Sequence, residues 1–385
     1  LKEFDVRMPA TPAPTPAPPE HHHALVAAAR RAEAVIAVPK AAPADSFVLH
    51  APLELLARVG LVPLVHPRRR AEAIAMIDRL RDEYERAGDP IETPVPVTID
   101  EIDDIATAAR RLADALRAGE VDEVDRLAAA LLPLLSPGDV GELLGETVAT
   151  SLAAAGHSPI GCALLARVEP TLSSSLLRGA LHTIAGEPGS QISWHLPVTG
   201  EGDPTLLHAA IAATPHLGEP GSSFIHPLMS QVQDAGVTFE LLGPVLADRY
   251  DVRAAANTLA RIAAWSMVHD DPHHAPYGWS HALTMPQAVF ALAGRGVHLR
   301  TALAVAATFT VGLRAGHGSE NLPEAIDDEV GTDATWEELA TAAALHEDAH
   351  LVKHTLAAWH AATDDPAYEG LYRTAAARLV AWWQA

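Results

Sequence analysis

Residues 68–87 read RRRAEAIAMIDRLRDEYERA. Ala71, Ile74, Ile77 and Leu80 recur at three-residue steps, charge fills the positions between them, and Gly88 follows. That spacing puts the apolar side chains on one stripe of a 3.6-residue helix and predicts an amphipathic helix over Arg68–Ala87 that Gly88 stops. Working outward, Asp100–Ala118 opens on an acidic turn and ends at Gly119. Further helical stretches are predicted near 121–132, 138–155, 171–185, 237–248, 251–268, 297–314, 336–361 and 366–383. No segment alternates with the period of a strand, and no repeat of fixed length is found. Pro and Gly gather in the connections, notably 186–204 and 270–278. The expectation is an all-α fold: one large domain over 21–385, preceded by a disordered Pro/Ala-rich tail over 1–20. His21, His22 and His23, at the expected start of a helix, read as solvated tail rather than as ligands.

Composition narrows the function. Of 385 residues, 49% are hydrophobic but only 5% aromatic, so a core of Ala, Leu and Val in closely packed helices is expected. A net charge of -22 disfavours nucleic acid and anionic membrane as partners. The single cysteine, Cys162, excludes a disulfide framework and a cysteine-based zinc site, and fits a reducing cytoplasm. No apolar run is expected to span a bilayer, and no signal-peptide pattern opens the sequence.

Lysine is nearly absent: only Lys2, Lys40 and Lys353 occur, the other basic side chains being arginine. Lys353 lies in Leu345-His346-Glu347-Asp348-Ala349-His350-Leu351-Val352-Lys353-His354, with His360 further on. On one continuous helix, His346, His350, Lys353, His354 and His360 share an arc of about a third of the circumference. Three readings compete. The stripe is the solvated side of a helix whose apolar face is Leu351, Val352, Leu356 and Trp359. Alternatively, His346-Glu347-Asp348-Ala349-His350 matches the H-E-x-x-H pattern of zinc peptidases, with Glu347 as the base and Glu369 as a third ligand. Or His350 and Lys353 are both ligands. Burial among cations then lowers the lysine pKa, and its neutral amine adds carbon dioxide to become a carbamate, a hard oxygen donor.

Four places in the chain resemble the questin oxidase-like family. They are Leu49-His50-Ala51-Pro52-Leu53-Glu54-Leu55-Leu56, Leu177-Arg178-Gly179-Ala180-Leu181-His182, His281-Ala282-Leu283-Thr284, and Asp348-Ala349-His350-Leu351-Val352-Lys353. The resemblance runs from about residue 45 to the C-terminus. Arg178 stands where fungal relatives carry a histidine, and 186–236 does not align. The resemblance implies an all-helical fold, oxygen-dependent oxidation of aromatic polyketides including ring opening of anthraquinones, and a mononuclear non-haem iron. Carried over residue by residue, it implies His50, His182, His281, His350 and carboxylated Lys353 as metal ligands.

Elsewhere, His269, His273 and His274 read equally as supports for the ligands or as members of a loop in which Asp270, Asp271 and Pro272 stop a helix. Trp265, Tyr277 and Trp279 suit the wall of an aromatic pocket or an ordinary core. His226 is the reserve ligand, and His157, before Ser158-Pro159, reads as a capping or loop residue. The expected function is an Fe(II)-dependent oxygenase taking dioxygen and a small aromatic substrate, with Glu347 or His354 as the base. Zinc is the alternative metal and a metal-dependent hydrolase the alternative enzyme. The residues leave NADPH and the oligomeric state open.

Overall fold

The computed structural model describes residues 19–384 apart from 42–46, 93, 96, 99–103, 169–171, 222–224 and 328–330. The tail predicted over 1–20 lies outside the described residues, save that Pro19 and Glu20 open the first helix. Among the described residues there are seventeen α-helices and no strand beyond three isolated bridges. In chain order they are α1 (Pro19–Ile36), α2 (Phe47–Leu61), α3 (Arg70–Arg86), α4 (Ile105–Ala118), α5 (Val121–Leu131) and α6 (Pro137–Thr150). Then come α7 (Ser158–Val168), α8 (Arg178–Gly186), α9 (Leu207–Ala212), α10 (Ile225–Asp234), α11 (Val237–Leu242) and α12 (Val252–His269). The last five are α13 (Ser280–Leu292), α14 (Leu299–His317), α15 (Trp336–Ala344), α16 (Ala349–Asp364) and α17 (Glu369–Gln384).

Local chemistry sets many of the boundaries. In α3 the buried stripe is Ala73, Ile74, Ile77, Leu80 and Tyr84, whereas Ala71 is exposed. Asp104 begins α4 by accepting from Thr107 N at 2.9 Å, and Asp251 begins α12 by accepting from Ala254 N at 3.0 Å. Ser136 with Asp139 and Thr335 with Glu338 form capping boxes at α6 and α15. The helix predicted across 336–361 is two helices. Asp348 accepts from His350 N at 2.7 Å and Leu351 N at 3.2 Å, so it starts α16 afresh after a break at 345–348.

The centre of the molecule is a ring of four helices, α2, α7, α13 and α16, each packed on the next in that order and the last on the first. Three of them, α2, α7 and α13, are absent from the predicted stretches. They are buried along almost their whole length, so they carry no polar face and hence no helical period to read. Gly161 sets the approach of α2 to α7: a Cβ there would lie 2.9 Å from Leu177 Cδ2 and 3.1 Å from Leu53 Cδ2. Contrary to the sequence expectation, one apolar run, Phe47–Leu64, is long enough to span a membrane by composition. In the fold it is 67% buried and includes the buried Glu54–Arg58 ion pair, as a core helix does.

Candidate metal centre

Each helix of the central ring brings one histidine from its N-terminal end. His50 lies in the first turn of α2, His157 immediately precedes α7, and His281 and His350 are the second residues of α13 and α16. All four are buried, and one ring nitrogen of each lies within 4.8 Å of those of the others. The rings meet edge to face in the same cyclic order as the helices. Centroids are 4.6 Å apart for His50–His157, 4.9 Å for His157–His281, 5.0 Å for His281–His350 and 4.6 Å for His350–His50.

Hydrogen bonds fix two of the tautomers. His157 Nδ1 is 2.7 Å from Ala154 O, and His281 Nδ1 is 2.6 Å from Tyr277 O. A carbonyl only accepts, so both Nδ1 atoms carry hydrogen and both Nε2 atoms of the neutral rings present lone pairs. Those two Nε2 atoms lie 2.9 Å apart, and His50 Nε2 is 3.1 Å from His157 Nε2. Protonation does not relieve the conflict, because burial and neighbouring cationic groups push His157, His281 and His350 well below the ordinary histidine range. Facing lone pairs on neutral imidazoles are the donor arrangement that a divalent cation satisfies.

The turn that presents His157 is unusual. Ala154 and Ala155 both have φ of 52°, the left-handed region that L-residues with a Cβ occupy at a cost of about 1–2 kcal/mol. This turn aims Ala154 O back at His157. Residues 275–279 form a single π-turn, which places Tyr277 so that its carbonyl holds His281 and its ring stands edge-on to His350 at 4.9 Å.

Lys353 follows His350 by three residues on α16 and is 3% exposed. Its Nζ has no hydrogen-bond partner among the described residues. Burial lowers its pKa to about 7, and only Asp348 and Glu54 pull it back up. A large fraction of the amine is therefore neutral and nucleophilic near neutral pH.

The remaining residues singled out in the sequence lie elsewhere. His182 is not part of the cluster: its Nδ1 is 2.9 Å from Asp125 Oδ2, and this hydrogen bond raises its pKa. His157 occupies the place the resemblance gave to His182. The expected base Glu347 is 67% exposed at the surface and pairs with Arg79 at 2.6 Å. The other expected base, His354, is fully buried, and burial lowers its pKa to about 4. His346 lies before α16, with its ring 5.1 Å from that of Trp383 and its Nδ1 accepting from Asp348 N, so the H-E-x-x-H residues do not share a helix. Glu369 accepts from Trp336 Nε1. His360 lines a separate cavity of about 20 Å³ that also touches Lys353. Of the aromatic candidates, Trp279 is core and Trp265 stacks on His269 at 4.7 Å.

A larger cavity of about 610 Å³ lies between α2, α7 and α8. Val48, Leu49, Leu53 and Leu177 give it apolar walls, and His157 and His182 both line it. It therefore connects the histidine cluster to the His182–Asp125 pair. Lys40 also lines it, but its Nζ is committed to Tyr84 O and Glu85 O at 2.6 and 2.9 Å. Comparison with protein-family models, with curated proteins and with solved structures gives no match to this chain.

Proposed function

We propose that this protein is a mononuclear non-haem iron oxygenase acting on a flat, phenolic, polyketide-like molecule. The observation that carries the metal reading is the pair of neutral imidazole lone pairs, on His157 and His281, that face each other at 2.9 Å inside a ring of four buried histidines. His50, His157, His281 and His350 would hold the ion, joined by Lys353 as its carbamate. In forming it, the neutral Lys353 amine makes an N–C bond to carbon dioxide and loses one N–H proton to solvent. The product carries one negative charge, which the N-terminal ends of the four converging helices stabilise. The resemblance to questin oxidase-like proteins directs the choice of iron over zinc. Iron bound there supplies activation of dioxygen.

The residues around the ion divide the remaining work. The cavity walls of Val48, Leu49, Leu53 and Leu177 take an apolar ring system and exclude water from its faces. Asp125 holds the Nδ1–H of His182, leaving Nε2 as the acceptor for a phenolic proton at the cavity wall. His182 thus serves as a base rather than as a ligand, the role first sought in Glu347 or His354.

The test is anaerobic purification, elemental analysis and reconstitution with Fe(II), followed by oxygen-electrode measurements with 1,8-dihydroxyanthraquinone as the probe. One iron per chain and probe-dependent oxygen uptake are expected. Tightly bound zinc, with hydrolysis of ester probes and no oxygen uptake, would replace the oxygenase by a metal-dependent hydrolase.

A further inference from the structure

A second group of ligating side chains lies behind the π-turn, outside the four-histidine ring. Glu219 comes from the segment after α9, His274 from the short turn Pro272–His274, and His317 is the last residue of α14. One carboxylate oxygen of Glu219 is 3.2 Å from Nδ1 of His274 and also 3.2 Å from Nδ1 of His317. The two imidazoles stack, with centroids 4.1 Å apart and planes within 14°. His317 is 5% exposed, and its Nδ1 makes no well-directed hydrogen bond although the carboxylate is beside it.

From these contacts we infer an accessory divalent-cation site formed by Glu219, His274 and His317. Two imidazoles and a carboxylate are the donor set of zinc, cobalt and nickel sites. The C-terminal end of α14, where the helix carbonyls collect negative potential, favours a cation at the same place. Gly278 makes the site possible: a Cβ there would lie 2.9 Å from His317 Cδ2 and 3.3 Å from His274 Cβ. The rings are parallel, so sharing one ion requires the His274 ring to turn about its Cβ–Cγ bond, and its 27% exposed side chain has room to do so.

The site has a direct line to the central ring. Gly278 rests on His317, and the residue before it, Tyr277, holds His281 through its carbonyl and touches the His350 ring. A cation that fixes His274 and His317 also fixes the π-turn, and with it the orientation of two of the four central histidines. Its role is to stiffen the scaffold of that ring. The inference stands whether or not the central ring binds iron.

The test uses the full chain stripped with a chelator and titrated with Co(II), read by calorimetry, visible absorption and metal analysis. The wild type is expected to bind two equivalents with distinguishable spectra. Glu219→Gln, at a 40% exposed side chain, should lose one equivalent, as should His317→Gln. His281→Gln should lose the other and keep this one. If the central ring binds no metal, the wild type takes one equivalent and Glu219→Gln takes none. Cobalt binding by Glu219→Gln identical to wild type, or no binding at all by His281→Gln, would overturn the proposal.

Discussion

Lys353 and the buried histidines make the charge state of single side chains the controlling variable of this molecule. In the metal-free protein, His157, His281 and His350 resist protonation, while the unfolded chain takes up those protons below about pH 6.5. Stability should therefore fall as the pH is lowered through that value. Lys353 acts over another window: folded it titrates at about 7 and unfolded at 10.5. Between those values the unfolded chain binds the extra proton, so stability should rise with pH from 7 toward 10.5. Urea midpoints of the stripped protein at several pH values check both limbs, and Lys353→Met should flatten the alkaline limb while leaving the acidic one. A second outcome separates the two histidines whose proposed roles differ from the sequence reading. His157→Ala should abolish metal binding at the ring, whereas His182→Gln should retain the metal and lose the phenolate absorption band of bound 1,8-dihydroxyanthraquinone. The residue types were legible in the sequence: His50, His281, His350 and Lys353 stood out, and the structure brings the three histidines together near the lysine. His157 was not, because what places it is a left-handed turn at two alanines, and no residue type announces such a turn.

At the level of elements, the N-terminal ends carry the clustered histidines, so a cap matters beyond its own stability. Asp348 starts α16 and lies 3.4 Å from His350 Nδ1. Asp348→Asn, which preserves an acceptor for the backbone N–H groups, should leave the denaturation midpoint nearly unchanged. Asp348→Ala should lower stability by about 1 kcal/mol and weaken metal retention, measured by denaturant titration and metal analysis. Helices with a polar face, such as α3, α4 and α12, could be placed from their periodicity. The central α2, α7 and α13 could not, since a helix surrounded by others has no hydrophilic side to contrast with. Nor was the break at 345–348 visible: read as one helix, the segment put His346 and His350 on a single arc, and a capping aspartate separates them.

At the level of the whole molecule, the 610 Å³ cavity and the histidine ring are adjoining but separable. Ala180, on the cavity wall beside His182, tests that separation. Ala180→Trp should fill the cavity and reduce binding of 1,8-dihydroxyanthraquinone at least tenfold by fluorescence titration, with metal content unchanged. Loss of metal in that variant would show that cavity and ring form one unit. The all-α class followed from helical periodicity and the aliphatic core from composition, whereas a cavity is a property of how helices from distant parts of the chain happen to face each other.

The four ring histidines sit at positions 50, 157, 281 and 350, each the contribution of a different stretch of chain. On a growing polypeptide, His50 is synthesised long before His350 and Lys353 leave the ribosome. No nascent intermediate can display the full donor set, and α16 must dock between α2 and α13 before it exists. An ion held there as proposed would not serve as a nucleus for folding, as it does in small zinc domains. It would arrive afterwards, as a late cross-tie that locks the last of these helices against the first.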